Sequence, residues 1–189
     1  MGKRVDPGLD RERLIAAAFQ QLEQDGLDGL SMRRLAARLG VQAPAIYWHV
    51  GDKAELLGMM ARDIYAAAYS AVPAAQDWRE WLTHYGHALR ASFAAHRDGA
   101  QLCAIARPAP FNDPAQQGEK IAAPLIALGL EQQRALSFQA AVISFALGWS
   151  MFEANGPMHD FLDQIMEFED SFQVGLNAIV AGFDPQRVT

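Results

Sequence analysis

Between Leu30 and Leu57 the chain reads LSMRRLAARLGVQAPAIYWHVGDKAELL, and the order of its capping, small and apolar residues leaves the backbone little choice. Ser31 stands where a helix needs a side-chain oxygen to accept an otherwise unpaired N–H, and Leu35 and Leu39 follow one turn apart on an inner face. Ala36 between them lets a neighbouring helix come close. Gly40 takes the positive φ that ends such a helix and turns the chain sharply. Pro44 is tolerated in the first turn of a second helix, where its missing N–H has no partner to lose. A short helix is therefore predicted from Gln42 or Ala43 to about His49, with Ile46 and Val50 facing inward. The pattern is a helix-turn-helix.

That arrangement leaves Ala43, Pro44, Ala45, Tyr47, Trp48 and His49 on or near the outward side. Two large aromatic rings and an imidazole on so short a helix ask for a partner surface. A DNA duplex supplies one, with phosphate oxygens for the Tyr47 hydroxyl, the Trp48 indole N–H and His49, and thymine methyl groups for Ala43, Pro44 and Ala45. Arg33 at the start of the first helix reaches a guanine edge or a phosphate. Gln42 adds a base-reading amide, and Lys53, after Gly51, is placed for a phosphate. A helix-packing pair at Tyr47 and Trp48 is the alternative, but it does not explain cap, turn and face together.

The charge distribution agrees with a reading head at one end. The 189 residues carry a net charge of −6. Through Arg62 there are nine Lys and Arg against eight Asp and Glu, and beyond it seven against fourteen. A near-neutral head attracts phosphate weakly, so tight binding needs two heads held on one rigid dimer. Lys3 and Arg4 lie on a Gly- and Pro-containing leader, read as flexible. The single cysteine, Cys103, excludes an intrachain disulfide and a multi-cysteine zinc site. The start MGKRVDPGLDRER is polar, unlike a signal peptide, and the apolar run Ala140 to Phe152 falls short of the roughly 20 residues that cross a bilayer. A cytoplasmic protein with no membrane partner is expected.

Periodicity lays out the rest as helices. The first spans about Asp10 to Asp25, with Leu14, Ala18 and Leu22 on one stripe and Ile15 and Phe19 beside it, and Gly26 ends it. A fourth, from about Asp52 to Ser70, is the natural lever between head and body. A fifth runs from about Asp77 to Ala95, followed by short and medium helices at Asp98 to Ile105 and Pro114 to Leu128. The last third reads as two long helices, Glu131 to Ala154 and His159 to Phe183. The first of these is apolar almost all round. Together they carry more apolar surface than a domain this small covers, which predicts a two-fold dimer pairing them as a four-helix bundle.

Residues from about Asp10 to Asp63 resemble the DNA-binding domain of the TetR family of bacterial transcriptional repressors. The helix RERLIAAAFQQLEQDG, then LDGLSMRRLAARLGVQAPAIYWHVGDKAELL, has the family's order of features, and YWHV at Tyr47 to Val50 is similar to its tetracycline-repressor subgroup. Asp77-Trp78 and HRDGAQLCAIARP from His96 extend the likeness more loosely. The resemblance implies an all-α fold of nine to ten helices. It divides into a leader over residues 1–9, a three-helix helix-turn-helix DNA-binding domain over 10–55, and a larger ligand-binding and dimerisation domain over 56–189.

It also implies an effector pocket among the middle helices, lined here by Tyr69, Tyr85, Leu89, Cys103, Arg107, Phe145, Trp149 and Phe152. The subgroup's metal-coordinating histidine falls on Cys103, its following threonine on Ala106, its drug-binding asparagine on Tyr85 and its phenylalanine on Leu89. The glutamate that supports its metal from behind falls on Phe152, with Glu153 one step off, while Arg107 and Pro108 match. A thiol and a phenol do not suit a hard cation, so the effector implied is a largely apolar or aromatic molecule rather than a magnesium-chelated tetracycline. In the head, Ala43 and Ala45 replace a base-reading glutamine and a threonine, which implies a different operator.

The function expected is a ligand-responsive repressor that binds a palindromic operator as a homodimer and needs no cofactor. A ligand-independent DNA-binding regulator is the alternative. An enzyme is disfavoured, because the chain has no HExxH, GxSxG or phosphate-cradling glycine loop. His84 and His87, three residues apart, are the one pair spaced to share a metal.

Overall fold

The computed structural model describes residues 9–107 and 113–184. The leader residues Lys3 and Arg4, and Pro108, lie outside the described residues. Every regular element among the described residues is helical: α1 (Arg11–Gly29), α2 (Met32–Leu39), α3 (Ala43–Ile46), α4 (Lys53–Ser70), α5 (Trp78–Ala94), α6 (Gly99–Ile105), α7 (Pro114–Ala127), α8 (Gln132–Ala154), α9 (Gly156–Leu162) and α10 (Phe168–Ala181). They sort into two compact units, residues 9–65 with 93–107 and residues 66–92 with 113–184.

The first unit is built on local signals that its helices obey. Asp10 caps α1, its carboxylate accepting the Arg13 N–H at 2.8 Å. Leu14, Ala18 and Leu22 are fully buried along the expected stripe, and Leu9, the last leader residue, is buried too. At Gly26 the backbone leaves helical geometry with φ 70°, so the regular helix ends there and one short turn continues to Gly29. Ser31 caps α2 by accepting the Arg34 N–H. Gly40 closes it in the left-handed region at φ 69°, with its own N–H donating to Ala37 and that of Val41 to Ala36, the two bonds of a Schellman motif. Leu35 and Ala36 are buried and Leu39 is half-buried.

The segment from Phe93 through α6 packs with this unit, through contacts that no local pattern announces. His96 stacks on Phe19 with ring centroids 4.3 Å apart. The Arg97 N–H donates to the Glu23 carboxylate and its guanidinium to the Gln24 carbonyl, while Asp98 accepts the Leu27 N–H at 2.8 Å. Asp98 itself sits at φ 56°, a strained setting for a residue with a Cβ, held by this docking into the Gly26 kink.

In the second unit α8 contacts α7, α9 and α10. Its buried residues Ala135, Phe138, Gln139, Val142, Ala146 and Ser150 form one stripe, and Met151 and Phe152 are exposed. Within the single chain α8 is therefore covered on one side, not several. By length and a mean hydropathy of 1.5 over 18 residues it also meets the requirement for a membrane span, which the shorter apolar run in the sequence did not reach. Gln139, buried against α7, which carries Pro124 within it, donates to the Ile121 carbonyl at 3.1 Å.

The expected final helix from His159 to Phe183 is two helices. Asn155 caps α9, its side chain accepting the Met158 N–H, and residues 163–167 separate α9 from α10. α10 buries Phe168, Phe172, Leu176 and Val180 at spacings of four, so the apolar period that suggested one continuous helix belongs mostly to α10. Arg90 of α5 ties this unit together. Its guanidinium forks onto the Glu153 carboxylate, donates to Glu169 at 2.6 Å and lies 4.6 Å over the Phe172 ring.

Candidate nucleic-acid interface

Each step from the sequence to the head's outer surface has a visible cause. Ile46 and Val50 are buried to 0% and 1% exposure, which orients the intervening turn outward. Tyr47 and Trp48 are 50% and 58% exposed. Pro44, Gln42, Arg33 and the corner after Val50 share that accessibility, and Ala43, Ala45, His49 and Lys53 are half-buried. The helical part is shorter than expected, ending at Ile46; residues 47–49 continue as a turn in which the His49 N–H donates to the Ile46 carbonyl at 2.8 Å. Tyr47 ends α3 at φ −68° and ψ −4°, so the turn still follows the helical path and carries the rings to the same side.

The head thus exposes the aromatic bodies and polar tips of Tyr47 and Trp48 together with the Arg33 guanidinium, and Lys53 is half-buried. Such groups have the chemistry to grip phosphates while setting apolar atoms against base edges. Neighbouring arginines are otherwise employed: Arg34 pairs with Asp25 at 3.3 Å and Arg38 with Gln24.

The residues assigned to an effector divide between the units. In the second unit Tyr69 meets Trp81 and Tyr85 edge-on at 5.8 and 6.3 Å, and Trp81 and Tyr85 lie 5.0 Å apart. Leu89 is fully buried. A second aromatic group joins Phe145 and Trp149 to Phe172, with Phe168 edge-on to Trp149. Phe152 is exposed at the end of α8. In the first unit Cys103 is buried and Arg107 is exposed.

Burial pushes the Cys103 thiol up to about 12, and desolvation, followed by the nearby Cys103, pushes the Tyr65 phenol up to about 12 as well. Sequence reasoning missed Tyr65 as the neighbour of Cys103, since only the fold brings α4 against α6. Both groups stay neutral at physiological pH, which leaves no anionic donor there for a magnesium ion. No group of three or more His, Cys, Asp or Glu is gathered among the described residues. His87 bonds to Gln173 at 2.7 Å, away from a shared site with His84. A neutral thiol and a neutral phenol are poor donors for a hard cation such as magnesium.

The thiol carries a direct prediction. At pH 8 Cys103 of the folded protein is expected to react with iodoacetamide about 100-fold more slowly than in urea, because only the unfolded chain offers appreciable thiolate. As a raised acid, Cys103 supports folding most fully below its ordinary value near 9 and progressively less as pH rises from there toward about 12. Equal alkylation rates in the folded and unfolded states would contradict its burial.

Comparisons with known proteins match this architecture. The family described as bacterial regulatory proteins, tetR family, matches residues 14–60, and the tetracyclin repressor-like C-terminal domain matches residues 72–164. The chain is 38% identical over 102 residues to the class D tetracycline repressor of Escherichia coli, covering 53% of this chain and 47% of that one. To the class E repressor of Escherichia coli it is 28% identical over 196 residues, covering 94% and 92%. A variant of TetR from Acinetobacter baumannii AYE, solved in complex with minocycline, superposes with a TM-score of 0.77 at 31% identity, covering 96% of this chain and 99% of that one. The match spans about half the length of the class D repressor. With a helix-turn-helix in the first unit, an all-helical second unit and both family matches, the chain belongs to the TetR family of bacterial regulatory proteins.

Proposed function

We propose that the protein is a cytoplasmic, ligand-responsive transcriptional repressor that binds a palindromic operator as a homodimer and is released by a small, largely apolar or aromatic effector. The observation that carries this reading is the outward presentation of Tyr47 and Trp48 on a capped helix-turn-helix whose inner side is fully packed. Residues 10–55 serve as the DNA-binding domain and 56–189 as the ligand-binding and dimerisation domain. Arg33, Gln42, Ala43, Pro44, Ala45, Tyr47, Trp48, His49 and Lys53 face the duplex. The half-sites lie about one helical turn or somewhat more apart, as two linked heads require.

Dimerisation is supported by the one-sided cover of α8 and by the exposure of Met151, Phe152 and Val174 on α8 and α10, surface that a second copy buries. The apolar composition of α8 then suits a helix packed between protein layers rather than a membrane span. The effector reading rests on the aromatic residues Tyr69, Tyr85, Phe145 and Trp149 with Leu89, and on the poor fit to a metal chelate. The minocycline-bound relative supports a small-molecule site in this fold. Release works by population shift. α4 is unbroken for 18 residues from Lys53 and acts as the lever. To take operator occupancy from nearly full to nearly empty, the effector must prefer the released state by about 5.5 kcal/mol.

Selection of bound duplexes from random DNA, followed by screening an aromatic compound library for release of the selected duplex, tests the whole scheme. A two-fold repeated site and a releasing compound are the expected results. A single unrepeated site opposes the dimeric reader, and independent binding of compound and duplex opposes the coupling.

A further inference from the structure

One turn of helix does not stand alone, because fixing it costs more chain freedom than its first hydrogen bonds return. α3, four residues long, must be held from outside. On one side stand α2 and the Gly40 turn. On the other, Ile46 and Val50 are buried and the Val50 N–H donates to the Ile46 carbonyl at 3.1 Å.

The chain then turns a polar corner into α4. The Gly51 N–H donates to Glu55 Oε2 at 2.7 Å, and the Glu55 N–H donates to Asp52 Oδ1 at 2.8 Å. The Leu56 N–H donates to the Asp52 carbonyl, and the fully buried Leu56 side chain fastens α4 beneath. This is a capping box in which the glutamate reaches one residue further back than usual, to Gly51. The fit is close, since a Cβ on Gly51 would stand 3.0 Å from the carboxylate.

We infer that Glu55, with Asp52, is a positioning residue for DNA recognition. Its carboxylate fixes the Val50–Lys53 corner so that Tyr47, Trp48 and His49 before it and Lys53 within it meet the duplex as one surface. The inference rests on the DNA-reading function proposed above and adds two residues that do not themselves touch DNA. Its sign is distinctive. Glu55 and Asp52 are exposed carboxylates on the corner that bears Lys53, so by charge alone they repel phosphates and their removal would tighten binding. Positioning has the opposite effect, because without the Glu55 acceptor the Gly51 corner is free to move.

Glu55→Ala and Glu55→Gln separate the two. The alanine variant is expected to bind a duplex selected by the wild-type protein about tenfold more weakly. The glutamine variant, which keeps an oxygen acceptor and loses the charge, is expected to bind at least as tightly as wild type. In the free protein, the Gly51 amide should exchange with solvent faster in the alanine variant and near the wild-type rate in the glutamine variant. Equal or tighter binding by Glu55→Ala, equal weakening by both variants, or an unchanged Gly51 exchange rate in Glu55→Ala overturns the positioning role. Should wild type select no duplex at all, the DNA reading itself fails and this role fails with it.

Discussion

Tyr47→Ala is expected to weaken binding to the selected operator by about 30-fold while leaving the urea midpoint of the protein almost unmoved. Tyr47 is half exposed, so its truncation removes little packing, and surface changes of this kind usually shift stability by no more than about 0.5 kcal/mol. In the proposed complex truncation removes a phosphate hydrogen bond and an apolar contact, about 1 kcal/mol per head, and the proposed dimer presents two heads. Each 1.4 kcal/mol is about a factor of ten, so the two losses combine to roughly the stated effect. Fluorescence anisotropy at constant salt alongside urea denaturation reads both quantities. The reverse pattern, a lowered midpoint with unchanged affinity, would make Tyr47 a packing residue and remove the main support for the duplex interface.

Phe172→Ala should produce the largest loss of stability, about 3–5 kcal/mol. The ring is fully buried in the second unit, 5.3 Å from Phe145, 5.9 Å from Trp149 and 5.4 Å from His87, with the Arg90 guanidinium over its face. Deleting it leaves a cavity under a charged group whose partners Glu153 and Glu169 sit on α8 and α10. The helices cannot collapse into the gap without disturbing that fork. Against a total stability of about 5–15 kcal/mol the loss is large, and thermal unfolding should fall by about 10 °C or more. A change below about 1 kcal/mol would show that the ring is not the keystone its surroundings suggest.

The reading head was legible because its signals are short in range. The Ser31 cap, the left-handed Gly40 and the inward Ile46 and Val50 each act within a few residues, and all three features stand in the structure as the sequence implies. The Asp52 and Glu55 capping pair that closes the corner into α4, with its reach to Gly51, emerged only in the structure. Periodicity misled where it joined separate helices. It cannot distinguish one long helix from two that share a stripe, and residues 163–167 part α9 from α10.

Local chemistry in the sequence thus determined the all-helical class, the helix-turn-helix and the direction in which Tyr47 and Trp48 point, since capping bonds and helical period are settled between near neighbours. Only the tertiary structure decided that Asp98 docks on Leu27, that Arg90 joins Glu153 to Glu169, that Tyr65 lies beside Cys103 and that α8 is covered on one stripe. Those pairings bridge residues far apart along the chain. Many arrangements of the same amphipathic helices bury similar apolar area, and side-chain shape and hydrogen-bond geometry select among them only once the helices meet.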